Sequence, residues 1–181
     1  AGGMGFIMRE LLTAGLLDGS AATVWGQSLA DYMVEPKLGA NGVDFALAPE
    51  TSLDMDILRP LAEPHHPNGG LTILSGNLGR AVIKISAVDP TYHRITAPAA
   101  VFDNEADVKA AFTQGRLNSD VAVVVRLQGP QANGMPELHS LTPILTSLQE
   151  EGHAVMLITD GRMSGASGRV PAALHVTPEA L

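Results

Sequence analysis

Cysteine is absent from all 181 residues. That excludes disulfides, thiolate metal sites and a cysteine nucleophile from this chain. Aromatic residues make up only 4%, so a core has to be aliphatic, built from Leu, Ile, Val and Ala. Cations are few: 11 Lys and Arg against 19 Asp and Glu leave a formal charge of −8, which argues against a nucleic-acid binder, since such proteins display basic patches. No apolar run approaches the length of a membrane span and no secretory signal pattern is present, so no membrane role is expected and the cytoplasm is the default compartment. Heptads and low-complexity runs are missing as well. What remains, 45% hydrophobic and 17% charged residues, is the composition of a globular domain with a sizeable core. The first residues, Ala-Gly-Gly-Met-Gly-Phe, lack an initiator methionine, and the last are Thr-Pro-Glu-Ala-Leu; a piece of a longer protein is the expectation.

Taken in order, Phe6, Ile7, Leu11, Leu12 and Leu16 fall at helical spacing, with Gly15 and Asp18-Gly19 as the stop. A second short helix is expected over 28–34, ended before Pro36. Residues 35–70 are rich in Pro, Gly and Asn and read as a long connection with one helical turn near 53–58. Two adjacent histidines, His65 and His66, lie between prolines there and read as solvent-facing loop residues. From Gly70 the texture changes to strand-like runs over 71–75, 81–86, 97–102, 121–126, 154–158 and 172–176. One helix should open behind Asn104 as N-cap, and another should start at Pro136, a favoured first position, with Leu138, Leu141, Ile144, Leu145 and Leu148 on one face. Several strands follow one another directly, so the expected class is mixed α/β: a curved sheet or barrel flanked by helices over 70–181, preceded by a helical arm and linker over 1–69.

Chemistry is concentrated where the run 154–158 empties into Thr159-Asp160-Gly161-Arg162-Met163-Ser164-Gly165-Ala166-Ser167-Gly168. A buried strand fixes such a turn, and its glycines expose backbone N–H groups. Arg162 and Arg169 flank Ser164 and Ser167, so cations, hydroxyls and amides converge on a place suited to an anion or to an oxygen bearing negative charge. The plain alternative is a loop that only connects. It is neither a Walker loop nor a nucleophile elbow, because Gly-Lys-Ser/Thr and Gly-x-Ser-x-Gly are both absent here. If 121–126 and 154–158 are parallel neighbours, as the helix between them favours, their carboxyl ends bring Glu137 near Ser164. Glu137, in the first turn of its helix, is stabilised as a carboxylate by the dipole and is able to ligate a hard cation such as Mg²⁺; it otherwise simply assists the helix. Asp160 is better suited to hold loop amides than to react. His139 and His175 have no partner visible in the sequence, and Lys84 reads as a snorkelling surface lysine.

Read together, Gly69-Gly70-Leu71, Gly76-Asn77-Leu78-Gly79-Arg80-Ala81-Val82-Ile83-Lys84, Ala97-Pro98-Ala99-Ala100-Val101-Phe102, Gly129-Pro130-Gln131-Ala132-Asn133-Gly134-Met135-Pro136-Glu137-Leu138 and Thr159-Asp160-Gly161-Arg162-Met163-Ser164-Gly165 resemble the carboxyl-terminal part of the dihydroxy-acid and sugar-acid dehydratases. Ala132-Asn133-Gly134 and Ala166-Ser167-Gly168-Arg169-Val170-Pro171-Ala172-Ala173 resemble the branch that dehydrates 6-phospho-D-gluconate to 2-dehydro-3-deoxy-6-phosphogluconate in the Entner–Doudoroff pathway. The resemblance implies an iron–sulfur, Mg²⁺-dependent lyase with a swivelling β-barrel-like carboxyl-terminal domain. It implies Glu137 as a Mg²⁺ ligand and Ser164 as the alkoxide base at C2, with the cluster iron assisting the departing 3-hydroxyl. Arg162, Arg169 and Ser167 are the candidates for holding substrate carboxylate or phosphate.

One departure is large. Cluster cysteines and further metal ligands lie in an amino-terminal domain in this family, and iron–sulfur sites need thiolates. The cluster ligands are therefore expected outside this chain, which should be inert alone. The partners implied are a sugar-acid phosphate, that amino-terminal domain and a second copy in a homodimer. An unphosphorylated sugar acid or dihydroxy acid as substrate, or a non-catalytic anion-binding module, are the alternative readings.

Overall fold

A computed structural model describes residues 1–164 and 169–181. The chain divides into two compact units, 1–67 and 68–181. In the first, helix α1 (Gly3–Thr13) buries Phe6, and its early turn is tied down where the Gly5 N–H donates to Glu35 Oε1 at 2.8 Å. A 3₁₀ turn, Leu29–Tyr32, has Ser28 and Asp31 in a reciprocal capping box. Strands β1 (Val34–Gly39) and β2 (Gly42–Leu47) then pair as an antiparallel hairpin.

This hairpin is not included in the reading of 35–70 as a long connection with one helical turn. Sequence pattern misses it for a physical reason: most of its side chains are exposed on both faces, so no alternation of apolar and polar residues marks it, and Pro36 sits inside β1.

The second unit is built on one six-stranded mixed sheet. Strands β3 (Leu71–Gly76) and β4 (Gly79–Lys84) form a hairpin, and β4 runs antiparallel to β8 (Ala172–Thr177). Beyond β8 lie β7 (Val155–Thr159), β6 (Val121–Val125) and β5 (Ala99–Phe102), all parallel. Gly79, at φ +112°, closes the first hairpin where a Cβ would run into the Thr177 carbonyl of β8, so only glycine lets the two strands meet there. Among the described residues β3 and β5 each pair with one neighbour, so the sheet is open and the expected barrel closure is not seen.

Helices α2 (Glu105–Thr113) and α3 (Thr142–Glu150) supply the crossovers β5–α2–β6 and β6–α3–β7. Asn104 caps α2 as expected, its Oδ1 accepting the Asp107 N–H at 2.9 Å. Val121, Val123 and Val125 of β6, with Val155 and Leu157 of β7, pack on Val108, Ala111, Leu141, Leu145 and Leu148. Each such side chain contributes roughly 1.5–3 kcal/mol on burial, so this aliphatic layer fixes the two central parallel strands. Loops at their carboxyl ends are thereby held by the best-packed part of the unit.

The second helix starts later than its sequence suggests. Pro136 is not its first residue; the helix begins at Thr142, with Pro143 second, after a 3₁₀ turn His139–Leu141. Glu137 thus lies outside α3, and the dipole argument for its ionisation does not apply.

Candidate functional site

Strands β6 and β7 are parallel neighbours, with Val125 opposite Thr159, so their carboxyl ends do open onto one edge. That edge is the usual place for ligands in open α/β sheets. The loop after β7 begins with Thr159 and Asp160, both buried. Thr159 Oγ1 accepts the Gly161 N–H at 2.9 Å. Asp160 holds loop amides: its two oxygens accept the N–H groups of Gln128 at 2.9 Å and Ala180 at 3.0 Å. One carboxylate therefore ties the β6 loop and the carboxyl-terminal residues to the end of β7. A Cβ on Gly161 would meet Gln128 Cβ at 2.7 Å and Leu138 Cδ1 at 3.3 Å, so glycine is what allows the two loops to lie this close.

The loop after β6 is held along its length. Gln128, itself buried, donates to the carbonyls of Asp103 at 2.8 Å and Arg126 at 3.0 Å and accepts from Asn133 Nδ2 at 3.1 Å. The Glu179 carboxylate accepts from the amides of Gln131 and Ala132. Gly134 and Met135 are left-handed, at φ 67° and 54°. For methionine this is an uncommon conformation. It is sustained here by Arg162, whose Nε donates to the Met135 carbonyl at 2.8 Å.

The two loops meet at Glu137 and Arg162, which form a parallel β-bridge, with the Leu138 N–H donating to the Arg162 carbonyl at 3.1 Å. Their side chains join as well: Arg162 Nη1 lies 3.1 Å from Glu137 Oε2. The other oxygen, Oε1, accepts the Ser164 N–H at 2.8 Å and the His139 N–H at 3.1 Å. The Ser164 hydroxyl lies 3.2 Å from His139 Nδ1. Glu137, Arg162, Ser164 and His139 are thus one exposed cluster. The charge of the carboxylate is balanced by a guanidinium and two backbone dipoles.

The structure brings together Glu137, Ser164 and Arg162 of the sequence candidates, 27 residues separating the first two. It does not pair either arginine with Asp160. Arg169 is largely exposed, and its ion partner is Glu150 at 3.8 Å. Ser167 lies outside the described residues. His175 is exposed, at φ 54°, with its N–H on the Gly161 carbonyl at 3.1 Å. His139 is the residue that sequence reasoning undervalued; its position two residues beyond Glu137 was the only signal, because its partner comes from another loop.

A metal can be judged from the donors present. Among the described residues no group of three or more His, Asp or Glu could hold an ion. Glu137 offers a single carboxylate, three of whose lone-pair directions are taken. Mg²⁺ is commonly held by one or two carboxylates and completes its octahedron with water and substrate oxygens, so Glu137 fits as one ligand and not as a site by itself. An iron–sulfur cluster finds no ligand in a chain without cysteine.

The sequence profile of the carboxyl-terminal part of the dihydroxy-acid/6-phosphogluconate dehydratases matches residues 56–181. The chain belongs to this family. Similarity to individual dehydratases runs beyond the profile. The chain is 56% identical over 181 residues to the phosphogluconate dehydratase of Rhizobium meliloti (strain 1021), covering 99% of this chain. It is 53% identical to that of Pseudomonas aeruginosa, covering all of it. To the dihydroxy-acid dehydratase of Roseiflexus sp. (strain RS-1) it is 39% identical. In each case the match spans 30% of the relative's length. No described helix is long and apolar enough to cross a membrane.

Proposed function

We propose that the chain is the carboxyl-terminal part of a hydro-lyase that dehydrates 6-phospho-D-gluconate to 2-dehydro-3-deoxy-6-phosphogluconate. The observation that carries the reading is that Glu137 and Ser164, drawn from two separate loops, share one hydrogen bond at one rim of the sheet. The identity to phosphogluconate dehydratases, 51–56% in four genera against 39% to a dihydroxy-acid dehydratase, favours the phosphorylated substrate.

In this reading Ser164, as its alkoxide, takes the proton from C2. The electron pair of that C–H bond forms the C2–C3 double bond, the C3–O bond breaks, and the hydroxyl departs as water after gaining a proton. The resulting enol returns to the 2-keto acid. A Mg²⁺ ion on Glu137 would supply positive charge that favours the ionised hydroxyl and the substrate's oxygen anions. Arg162 is assigned to a substrate carboxylate and Arg169 to the phosphate, since a guanidinium grips either in bidentate fashion; Arg162 lies beside Glu137, whereas Arg169 lies against Glu150 at the end of α3. Ser167 is assigned to the same subsite by its place in the motif. Cluster thiolates would come from an amino-terminal domain. The open sheet would be the swivelling element that closes over substrate, in an enzyme that acts as a homodimer in the cytoplasm.

The test is turnover of 6-phosphogluconate by the full-length protein that carries this chain, with gluconate and a dihydroxy acid as competitors. Phosphogluconate turnover abolished by Ser164→Ala supports the proposal; a clear preference for either unphosphorylated acid overturns the substrate assignment.

A further inference from the structure

We propose that His139 is the positioning residue that aims the Ser164 hydroxyl at the substrate, an inference that rests on the base role given to Ser164 above. A serine hydroxyl turns freely about its Cα–Cβ and Cβ–O bonds unless a neighbour fixes it. One such neighbour here is His139 Nδ1, 3.2 Å from Oγ. The backbone that carries the imidazole is itself anchored. The backbone N–H of His139 and that of Ser164 both end on the same oxygen, Glu137 Oε1, so the two residues are strapped to one atom. Buried Leu138 and Leu141 hold the two ends of the 3₁₀ turn His139–Leu141 that carries the ring. With the ring proton on Nε2, Nδ1 accepts from the Ser164 O–H and fixes the place of Oγ in the resting hydroxyl, before that proton leaves and the oxygen acts as the base. The alignment of reacting atoms governs rate more than binding, so the residue should act on kcat and spare KM.

The experiment uses the full-length protein. His139→Leu should lower kcat about ten-fold with KM within two-fold, and should raise the isotope effect seen with C2-deuterated 6-phosphogluconate. His139→Asn, whose Oδ1 reaches the place of Nδ1, should recover most of the rate. In a Ser164→Ala background His139→Leu should cost nothing further, since residues that act as a unit are not additive. An unchanged kcat in His139→Leu, or an Asn variant as impaired as the Leu variant at equal folded content, overturns the proposal. If the wild-type protein fails to dehydrate 6-phosphogluconate, the base role has failed instead. The pairing is then judged by ¹⁵N resonances of the His139 ring. An acceptor Nδ1 that shifts in Ser164→Ala supports the pair; a protonated Nδ1, or no shift, refutes it.

Discussion

The buried carboxylate of Asp160 accepts the backbone N–H of Gln128, 32 residues away in the chain, at 2.9 Å. Its second oxygen takes the N–H of Ala180 at 3.0 Å. Three segments are thus pinned by one side chain with only 5% of its surface exposed. Replacing it with alanine would leave two amide donors without their acceptor, each a loss of about 1–3 kcal/mol. Asp160→Ala is expected to destabilise the second unit by roughly 3 kcal/mol, read as a lower urea midpoint with an unchanged m-value. Asp160→Asn keeps one acceptor and should fall between wild type and alanine. A midpoint unaltered in both variants would show that the loops are held by something else.

The Glu137–Arg162 pair gives a contrasting expectation. Both side chains are substantially solvated, and exposed ion pairs contribute about 0–1 kcal/mol. Glu137→Gln should therefore leave the melting temperature within about 3 °C while abolishing most dehydratase turnover in the full-length protein, by 100-fold or more on the proposed role. Calorimetry and a product assay on the same preparation separate the two effects. A large loss of stability with little loss of turnover would make Glu137 a structural residue.

How far the sequence discloses this arrangement depends on the range of the forces involved. Strands β6 and β7 are readable because residues 121–125 and 155–159 are continuous apolar runs between polar turns, the mark of strands packed on both faces. Helix α2 is readable because Asn104 meets its cap partner only three residues on. The start of α3 is not, because two prolines compete for it. Pro136 is passed over when Glu137 and Leu138 are drawn into a bridge with Arg162, a long-range contact that no local pattern encodes. His139 is hidden for the same reason, its partner Ser164 being 25 residues away. The motifs show which residues carry chemistry; their mutual distances come only from the fold.

Gly129 offers a test of how the β6 loop is held. A Cβ there would collide with the Glu179 carboxylate, the group that accepts the amides of Gln131 and Ala132. Gly129→Ala should cost about 1–3 kcal/mol through displacement of that side chain. Adding Glu179→Gly, which removes both the carboxylate and the Cβ that would stand 2.7 Å away, should relieve the clash, so that the double variant is more stable than the sum of the two single changes predicts. Strict additivity in a double-mutant cycle by chemical denaturation would argue that the loop adapts without involving Glu179.

Arg169 separates substrate binding from structure most simply. Its side chain is 78% exposed and its contact with Glu150 is long, at 3.8 Å. Such a pair contributes little to folding, so Arg169→Met should leave the melting temperature unchanged. If the guanidinium grips the phosphate in bidentate fashion, KM for 6-phosphogluconate should rise about ten-fold or more in the full-length enzyme while kcat changes little. Lysine at this position should recover only part of the binding, because an ammonium is a point charge without the planar fork. An unchanged KM in the methionine variant removes Arg169 from the substrate site. A KM raised equally for phosphorylated and unphosphorylated sugar acids would instead assign the side chain to the carboxylate that both share.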